Sequence, residues 1–444
     1  MRRAARGPGA LLMYETFART KSVCPVCLRT IDAEKAVAGD GFVHLIKTCP
    51  EHGFFDALIW EGGADEYLAW GGAPAGGGAD DGCPNNCGLC AGHKSEGCCV
   101  LLELTHRCNL RCPVCFASAG GEGDLSLDEI ARLYDMLMAR GGPFNIQLSG
   151  GEPTLRDDLP EIVRLGRSKG FSFFQLNTNG LRLADEPGYA HMLREAGVSC
   201  AFLQFDGLRD STYEALRGRA LLDTKLRAIG SCAAAGLPVV LVPTLVPGIN
   251  VSEIGEMLRF ALSRAPQVRG VHFQPVSYFG RFPGKTPPDE SRCGLSDVIH
   301  ALCEQCPDEL KLEHFVPRKQ FDPHCDFSST YFLSEDGRLV ATSRFDQNEA
   351  DTEQTDFVEK TNKYTVKRWR FQPGHEETTP LLRFAERTLT HSFCISGMGF
   401  QDVWNIDLGR LHGCCVHMIT GEGEIVPFCA FHLTSASGER LYSN

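Results

Sequence analysis

Three cysteines set the chemistry that this chain can attempt. Cys108, Cys112 and Cys115 stand in LELTHRCNLRCPVCFAS with C-x3-C-x2-C spacing. Thiolates so close in sequence can be aimed at one point, and three of them can hold three irons of a 4Fe-4S cluster while the fourth stays open to a substrate. The plainer reading is a zinc site or scattered structural thiols. Further on, QLSGGEPT places Gly150 and Gly151 before Glu152 and Pro153. Adjacent glycines let a backbone approach a ligand closely, and exposed carbonyls or the nearby carboxylate can accept hydrogen bonds from a cationic amine.

Three other sets carry cysteines in ligand-like numbers. Cys24, Cys27, Cys49 and His52, in CPVC and CPEHG, have the paired-knuckle spacing of a tetrahedral site for zinc or rubredoxin-like iron. Cys83, Cys87 and Cys90 in GCPNNCGLC, with Cys98 or Cys99 close behind, are enough to close an auxiliary 4Fe-4S cluster, with zinc as the plain alternative. Cys325, Cys394, Cys414, Cys415 and Cys429 are too dispersed for spacing to group them, and buried structural thiols explain them equally well. Cys200, Cys232, Cys293, Cys303 and Cys306 read as nonligands.

The whole chain favours metal over disulfides. It has 21 cysteines in 444 residues, and its start, MRRAARGPGALLMYETFA, makes a poor signal peptide. This reading expects the cytoplasm, with Met13 as a candidate true start and peripheral membrane contact if the substrate is a lipid. The longest apolar stretch, Leu237 to Ile249, is broken by Pro238, Pro243 and Pro247, so no transmembrane segment is expected. A net charge of −12 argues against nucleic acid as a partner. With 43% hydrophobic residues the chain can bury a sizeable core.

The elements that must position the cysteines follow an alternating pattern. Strands are expected near Val100–Leu104, Phe144–Leu148, Ser172–Leu176, Ala201–Phe205, Val239–Leu245 and Gly270–Pro275, with helices such as Leu127–Ala139 and Ser252–Leu262 between them. Alternation implies parallel pairing and an α/β fold, a partial (β/α)6 TIM-like barrel whose functional loops follow the strand ends. Around it the reading expects a tail over 1–20 and a metal domain over 21–70. A Gly-rich linker with an auxiliary-cluster segment follows over 71–99, then the core over 100–285. Last comes a C-terminal auxiliary-cluster and substrate domain over 286–444, in which Gln347 to Glu377 reads as a solvated loop or lid.

The cysteine loop after strand one and GGEP after strand two resemble, in order and spacing, the radical S-adenosylmethionine (SAM) superfamily over about residues 100–285. The resemblance implies that Cys108, Cys112 and Cys115 are the catalytic cluster ligands. The amino and carboxylate groups of SAM would chelate the open iron, and Gly150, Gly151, Glu152 and Pro153 would flank the amino group. The superfamily often has an aromatic residue where this chain has Val114; Phe116 follows and is the candidate neighbour of the adenine. Asn177 and Asn179 in QLNTNG, Gln204 and Asp206 in LQFDG, and Thr244 in VPTLVPGIN are the candidates for the rest of the SAM pocket, or else structural caps.

Over nearly its full length the chain is similar to the radical SAM branch containing tetraether lipid synthase and the dihydropterin methyltransferases, on CPVCLRTIDAE, KTCPEHG, GCPNNCGLC, THRCNLRCPVCFA and QDVWNIDLGRLHGCCVHMITGEGEIVPFCAF. That resemblance implies three 4Fe-4S clusters and an N-terminal mononuclear zinc or iron. It raises Cys325, Cys394, Cys415 and Cys429 to ligands of a second auxiliary cluster, with each doublet, Cys98/Cys99 and Cys414/Cys415, ambiguous. The expected activity is carbon–carbon bond formation or methylation at an unactivated carbon of a lipid or pterin-like substrate, with ferredoxin or flavodoxin as low-potential donor. An apolar tunnel would favour the lipid and a small polar pocket the pterin. Phe273, Tyr278, Phe279 and Phe282 are candidate lining residues, though core packing explains them too. The competing readings are a peptide-modifying radical SAM maturase and, in another class, a noncatalytic iron-sulfur electron carrier.

Overall fold

The computed structural model describes residues 13–71, 83–87, 93, 97, 99–117, 119–121, 123–282, 291–317, 322–343 and 380–442. Cys90, Cys98, most of the Gly-rich linker and the charged stretch from Gln347 to Glu377 lie outside the described residues.

The N-terminal unit is an antiparallel meander of β1 (Tyr14–Val23), β2 (Thr30–Ala38), β3 (Val43–Cys49) and β4 (Gly53–Trp60). Tyr14 to Thr20, expected in the tail, belong to β1 and pair with residues of β2. Mixed Arg, Lys and Thr positions hid the strand, because an edge strand needs only one covered face. The meander docks on the C-terminal region through buried polar contacts. Lys35 Nζ lies 2.7 Å from Asp407 Oδ2, and Lys47 Nζ donates to Ser22 Oγ and Val403 O at 2.9 and 2.8 Å.

The second sheet begins with β5 (Cys99–Glu103), β6 (Asn145–Ser149), β7 (Phe174–Thr178), β8 (Cys200–Gln204), β9 (Val239–Val242), the short β10 (Thr244–Leu245) and β11 (Val268–Pro275). All six expected strands are present within two residues of their anticipated starts. Runs such as CVLLE and VVLV are apolar almost throughout, because a parallel strand with helices outside is covered on both faces. The helix Leu127–Ala139 is set by a capping box in which Glu129 N donates to Ser126 Oγ and Ser126 N to the Glu129 carboxylate.

The C-terminal region does not stand apart from this core. It supplies β12 (Asp326–Leu333), β13 (Leu339–Ala341), β14 (Ser392–Met398), β15 (Val416–Ile419) and β16 (Ile425–Pro427). Of these, β14 pairs parallel with β11, and β15 pairs parallel with β5. The order β13-β12-β14-β11-β9-β8-β7-β6-β5-β15-β16 therefore holds eight successive parallel strands, two more than the six expected, with antiparallel strands at both edges. The fold is a partial TIM-like barrel whose end strands come from beyond residue 285.

Candidate functional site

The lumen-facing residues of the parallel strands enclose one cavity. Along β7 they run from Phe173 through Gln175 and Asn177 to Asn179, as alternation requires. Phe173, Cys200, Val240 and Cys394 form an apolar floor. The mouth is made by the cysteine loop: Cys108, Cys112 and Cys115 all line it.

That loop is held by backbone on both sides. Cys115 and Arg281 exchange backbone hydrogen bonds at 2.9 and 3.0 Å, and Arg281 Nε donates to Cys112 O at 2.8 Å. Gly151 N donates to Thr105 O at 2.7 Å and Glu152 N to Arg107 O at 2.8 Å. Here the glycines are obligatory. A Cβ on Gly150 would lie 2.4 Å from Thr105 O, and one on Gly151 2.1 Å from Arg107 O. Their first service is thus to let the end of β6 approach the cysteine loop. Glu152, buried, accepts from Thr154 N and Oγ1, from Thr178 Oγ1 and from Asn179 N at 2.6–3.1 Å, tying the ends of β6 and β7 together.

The donor set fits an iron-sulfur cluster. Three thiols converge on one cavity mouth without a fourth cysteine in their loop, and burial pushes Cys108 up to about 11 and raises Cys112 as well. Such thiols stay neutral until a cationic centre takes their protons. Arg217 counters the desolvation of Cys112, because its positive charge favours the thiolate.

The other candidates divide. Phe116, Gly150, Gly151, Glu152, Asn177, Asn179, Gln204 and Thr244 line the cavity; Pro153 and Asp206 do not. Pro153 is buried at the start of a 3-10 turn. Asp206 is buried too, and it accepts from Arg217 at 2.7 and 2.6 Å and from Thr244 N at 3.0 Å. Arg217 also donates to Thr244 Oγ1 at 2.9 Å. Asp206 is therefore the counterion of a cavity-facing arginine that the sequence reading missed, since an arginine in the last turn of a helix usually only complements the helix dipole. Phe116 is 39% exposed, with its ring against Phe428 and His432. Among the four aromatics near β11, Phe279 lines the cavity, Phe273 is core, and Tyr278 and Phe282 pack on Trp404.

The metal sets fare unequally. Cys24, Cys27, Cys49 and His52 come together at the ends of β1 and β3, with ligand atoms all within 4.8 Å of one another. Three thiols and one imidazole at this separation fit one tetrahedral ion. Cys83 is buried, and Cys87 N donates to Tyr442 OH at 3.0 Å; their expected partners Cys90 and Cys98 lie outside the described residues. Cys99 faces the lumen, where its Sγ accepts from Gln147 Nε2 at 2.8 Å.

Near the C-terminus, Cys325 and Cys429 sit in one cluster with Cys415, and burial drives both Cys325 and Cys429 up to about 12. Cys414 lies within electrostatic reach of Cys325, and Arg410 Nη2 donates to Cys325 Sγ at 3.2 Å. Cys394 does not belong with them. It pairs with Thr330 while Asp326, next to Cys325, pairs with Met398. Four residues of strand, roughly 13 Å at about 3.3 Å each, separate the two levels. Cys394 is a floor residue of the barrel, a placement that cysteine spacing alone had no means of revealing.

Comparison with known proteins gives the family. The radical SAM superfamily pattern matches residues 102–261, and the HMPTM N-terminal zinc ribbon domain pattern matches residues 16–61. The chain is 34% identical to 7,8-dihydro-6-hydroxymethylpterin dimethyltransferase of Methanocaldococcus jannaschii, over 93% of each chain. It is 32% identical to GTP 3',8-cyclase of Listeria monocytogenes over 41% of this chain and 55% of that one. Among solved structures, Streptococcus suis SuiB bound to S-adenosylmethionine is 15% identical over 48% of this chain and 47% of its own, with a TM-score of 0.39. Similarity to the dimethyltransferase along nearly the whole of both chains, with the two patterns covering the cysteine loop and the N-terminal ribbon, makes the chain a member of the radical SAM superfamily, an enzyme of transferase type in the dimethyltransferase's family.

Proposed function

We propose that the protein methylates, or forms a carbon–carbon bond at, an unactivated carbon of a small pterin-like molecule. The observation that carries this reading is a group of six amides in a lumen whose other lining residues are mostly apolar. Asn145, Gln147, Gln175, Asn177, Gln204 and Gln274 face it. An alkyl chain would strip water from these amides without replacing their hydrogen bonds, whereas a polar heterocycle restores them. The resemblance to an enzyme named for a dihydropterin supports the same choice over a lipid.

In this reading Cys108, Cys112 and Cys115 hold three irons of a 4Fe-4S cluster. When SAM is bound there, the pair supplies a 5'-deoxyadenosyl radical on delivery of one electron. The chain's own residues supply the positioning. Gly150 to Glu152 fix the cysteine loop, Arg217 steadies Cys112, Asn179 Nδ2 donates to Asn109 Oδ1 within that loop at 2.7 Å, and Phe279 and Phe428 add apolar surface to the cavity wall. Phe116, Gln204 and Thr244 are the further candidates for SAM contacts, whereas Asn177 turns to the substrate.

Two auxiliary clusters complete the proposal, one on Cys83, Cys87, Cys90 and Cys98, the other on Cys325, Cys429 and the Cys414–Cys415 doublet. Zinc occupies the ribbon, and ferredoxin or flavodoxin delivers the electron. The test is anaerobic reconstitution followed by reaction with SAM, dithionite and 6-hydroxymethyl-7,8-dihydropterin, with both a C1-donor mixture and SAM alone as methyl sources. A pterin product heavier by one or two methyl groups is expected. SAM cleavage with the pterin mass unchanged under every donor condition would overturn the substrate.

A further inference from the structure

We propose that Gln147, Gln175 and Asn177 form the face that recognises the substrate by its hydrogen-bonding edge, and that this substrate is a neutral, flat heterocycle. The inference deepens the reading above and rests on it for the site's occupant.

The strand register builds the face. Gln147 of β6 lies directly beside Gln175 of β7, and Asn177 follows two residues on, on the same side. Their side chains are linked: Gln175 Nε2 donates to Asn177 Oδ1 at 2.8 Å, Asn177 Nδ2 to Gln147 Oε1 at 3.2 Å, and Gln147 Nε2 to Cys99 Sγ at 2.8 Å. The bonds couple the three amides, so the orientation of one sets that of the next. Every amide carries two N–H donors and two acceptor lone pairs, so each keeps positions beyond those the chain uses. Three strands further round, His272 Nδ1 and Ser396 Oγ meet at 2.9 Å on the wall formed by β11 and β14.

This layer lies between the apolar floor and the thiol mouth. Barrel lumens are ordinarily filled by bulky branched residues, and a girdle of amides there is costly unless a polar ligand pairs with it. The ligand's charge follows from the wall. Arg217 is the only Lys or Arg among the described lining residues, and Asp206 already pairs with its Nε and Nη2 and balances its charge. Glu152 is the only lining carboxylate among them, and it is saturated by Thr154, Thr178 and Asn179. Neither a phosphate nor an ammonium finds an uncommitted Lys, Arg, Asp or Glu among the described residues of the lumen. A planar ring system with alternating donors and acceptors along one edge fits the linked amides without one.

The experiment uses the anaerobically reconstituted enzyme and Gln147→Leu, Gln175→Leu and the isosteric Gln175→Glu, each checked for wild-type circular dichroism and iron content. Dissociation constants are measured for 6-hydroxymethyl-7,8-dihydropterin and, as a second neutral heterocycle, guanosine. A loss of at least tenfold in pterin affinity in every folded variant is expected. Equal affinity in wild type and variants would overturn the recognition face while leaving the pterin reading intact. If wild type ignores the pterin but binds guanosine in a variant-sensitive way, the face stands and the pterin reading falls. Wild type that binds neither compound overturns the proposal.

Discussion

Asp206 grips Nε and Nη2 of the Arg217 guanidinium at 2.7 and 2.6 Å, with both side chains buried and the arginine's charge within reach of Cys112. The pair is a charged strut between the ends of β8 and β10 and the cysteine loop. Buried ions are stable only as partners, so removing one strands the other.

Arg217→Met alone is therefore expected to destabilise the protein by about 3–5 kcal/mol, as is typical for breaking a buried ion pair. The double variant Asp206→Leu with Arg217→Met should recover a large part of that loss. Chemical denaturation of both variants checks it. Additive losses would mean that the two side chains act independently.

Gly151→Ala places a methyl 2.1 Å from Arg107 O, a contact that backbone must move to relieve. Overpacking of this kind costs about 1–3 kcal/mol, and here it falls on the segment that carries Cys108. Reduced iron loading at the three-cysteine site is expected, seen as a weaker low-temperature EPR signal from the SAM-responsive cluster. A wild-type signal would show that the loop tolerates displacement.

Cys394 and Cys325 should part company on iron analysis. Cys325→Ala is expected to lose about four irons, one cubane's worth. Cys394→Ala should retain the wild-type count, because that thiol packs against Phe173, Cys200 and Val240. Loss of a cluster from the Cys394 variant would return it to the ligand set.

Lys225 gives a pH signature. Burial lowers it from 10.5 to about 8, although its Nζ donates to Asn179 O at 2.6 Å. Between pH 8 and 10.5 the unfolded chain binds the proton more tightly, so this residue's contribution to stability rises with pH there. Below pH 8 both states are charged and the folded state bears the full penalty. Melting temperatures of Lys225→Met should thus gain least on wild type near pH 10 and most below pH 8. A gap that does not change with pH would place the lysine in a wetter setting.

Much of this was legible in the residues. The six strands were readable because parallel strands are apolar on both faces, and the helix Leu127–Ala139 because Ser126 and Glu129 mark its start. The ribbon site was readable because both of its knuckles are local, as was the three-cysteine loop. What escaped notice was what the fold brings together from afar. Nothing in SFCISGM or VHMI says that these short segments flank β11 and β5, and Cys394 looked like a ligand for as long as its depth in the barrel was unknown. Gln147 and Gln175 were passed over because a single amide inside a strand carries no pattern; only register makes them neighbours.

The two outermost parallel strands also set the order in which the enzyme can be assembled. The cysteine loop is synthesised about three hundred residues before β15, the strand that pairs with β5 behind it, and β14 precedes β15 only narrowly. A ribosome therefore presents Cys108, Cys112 and Cys115 to the surrounding solution long before any lumen exists to shelter them. The chamber is a late product of synthesis, so an oxidant that meets the nascent chain reaches these thiols before the finished fold buries Cys112 and half-covers Cys108 and Cys115.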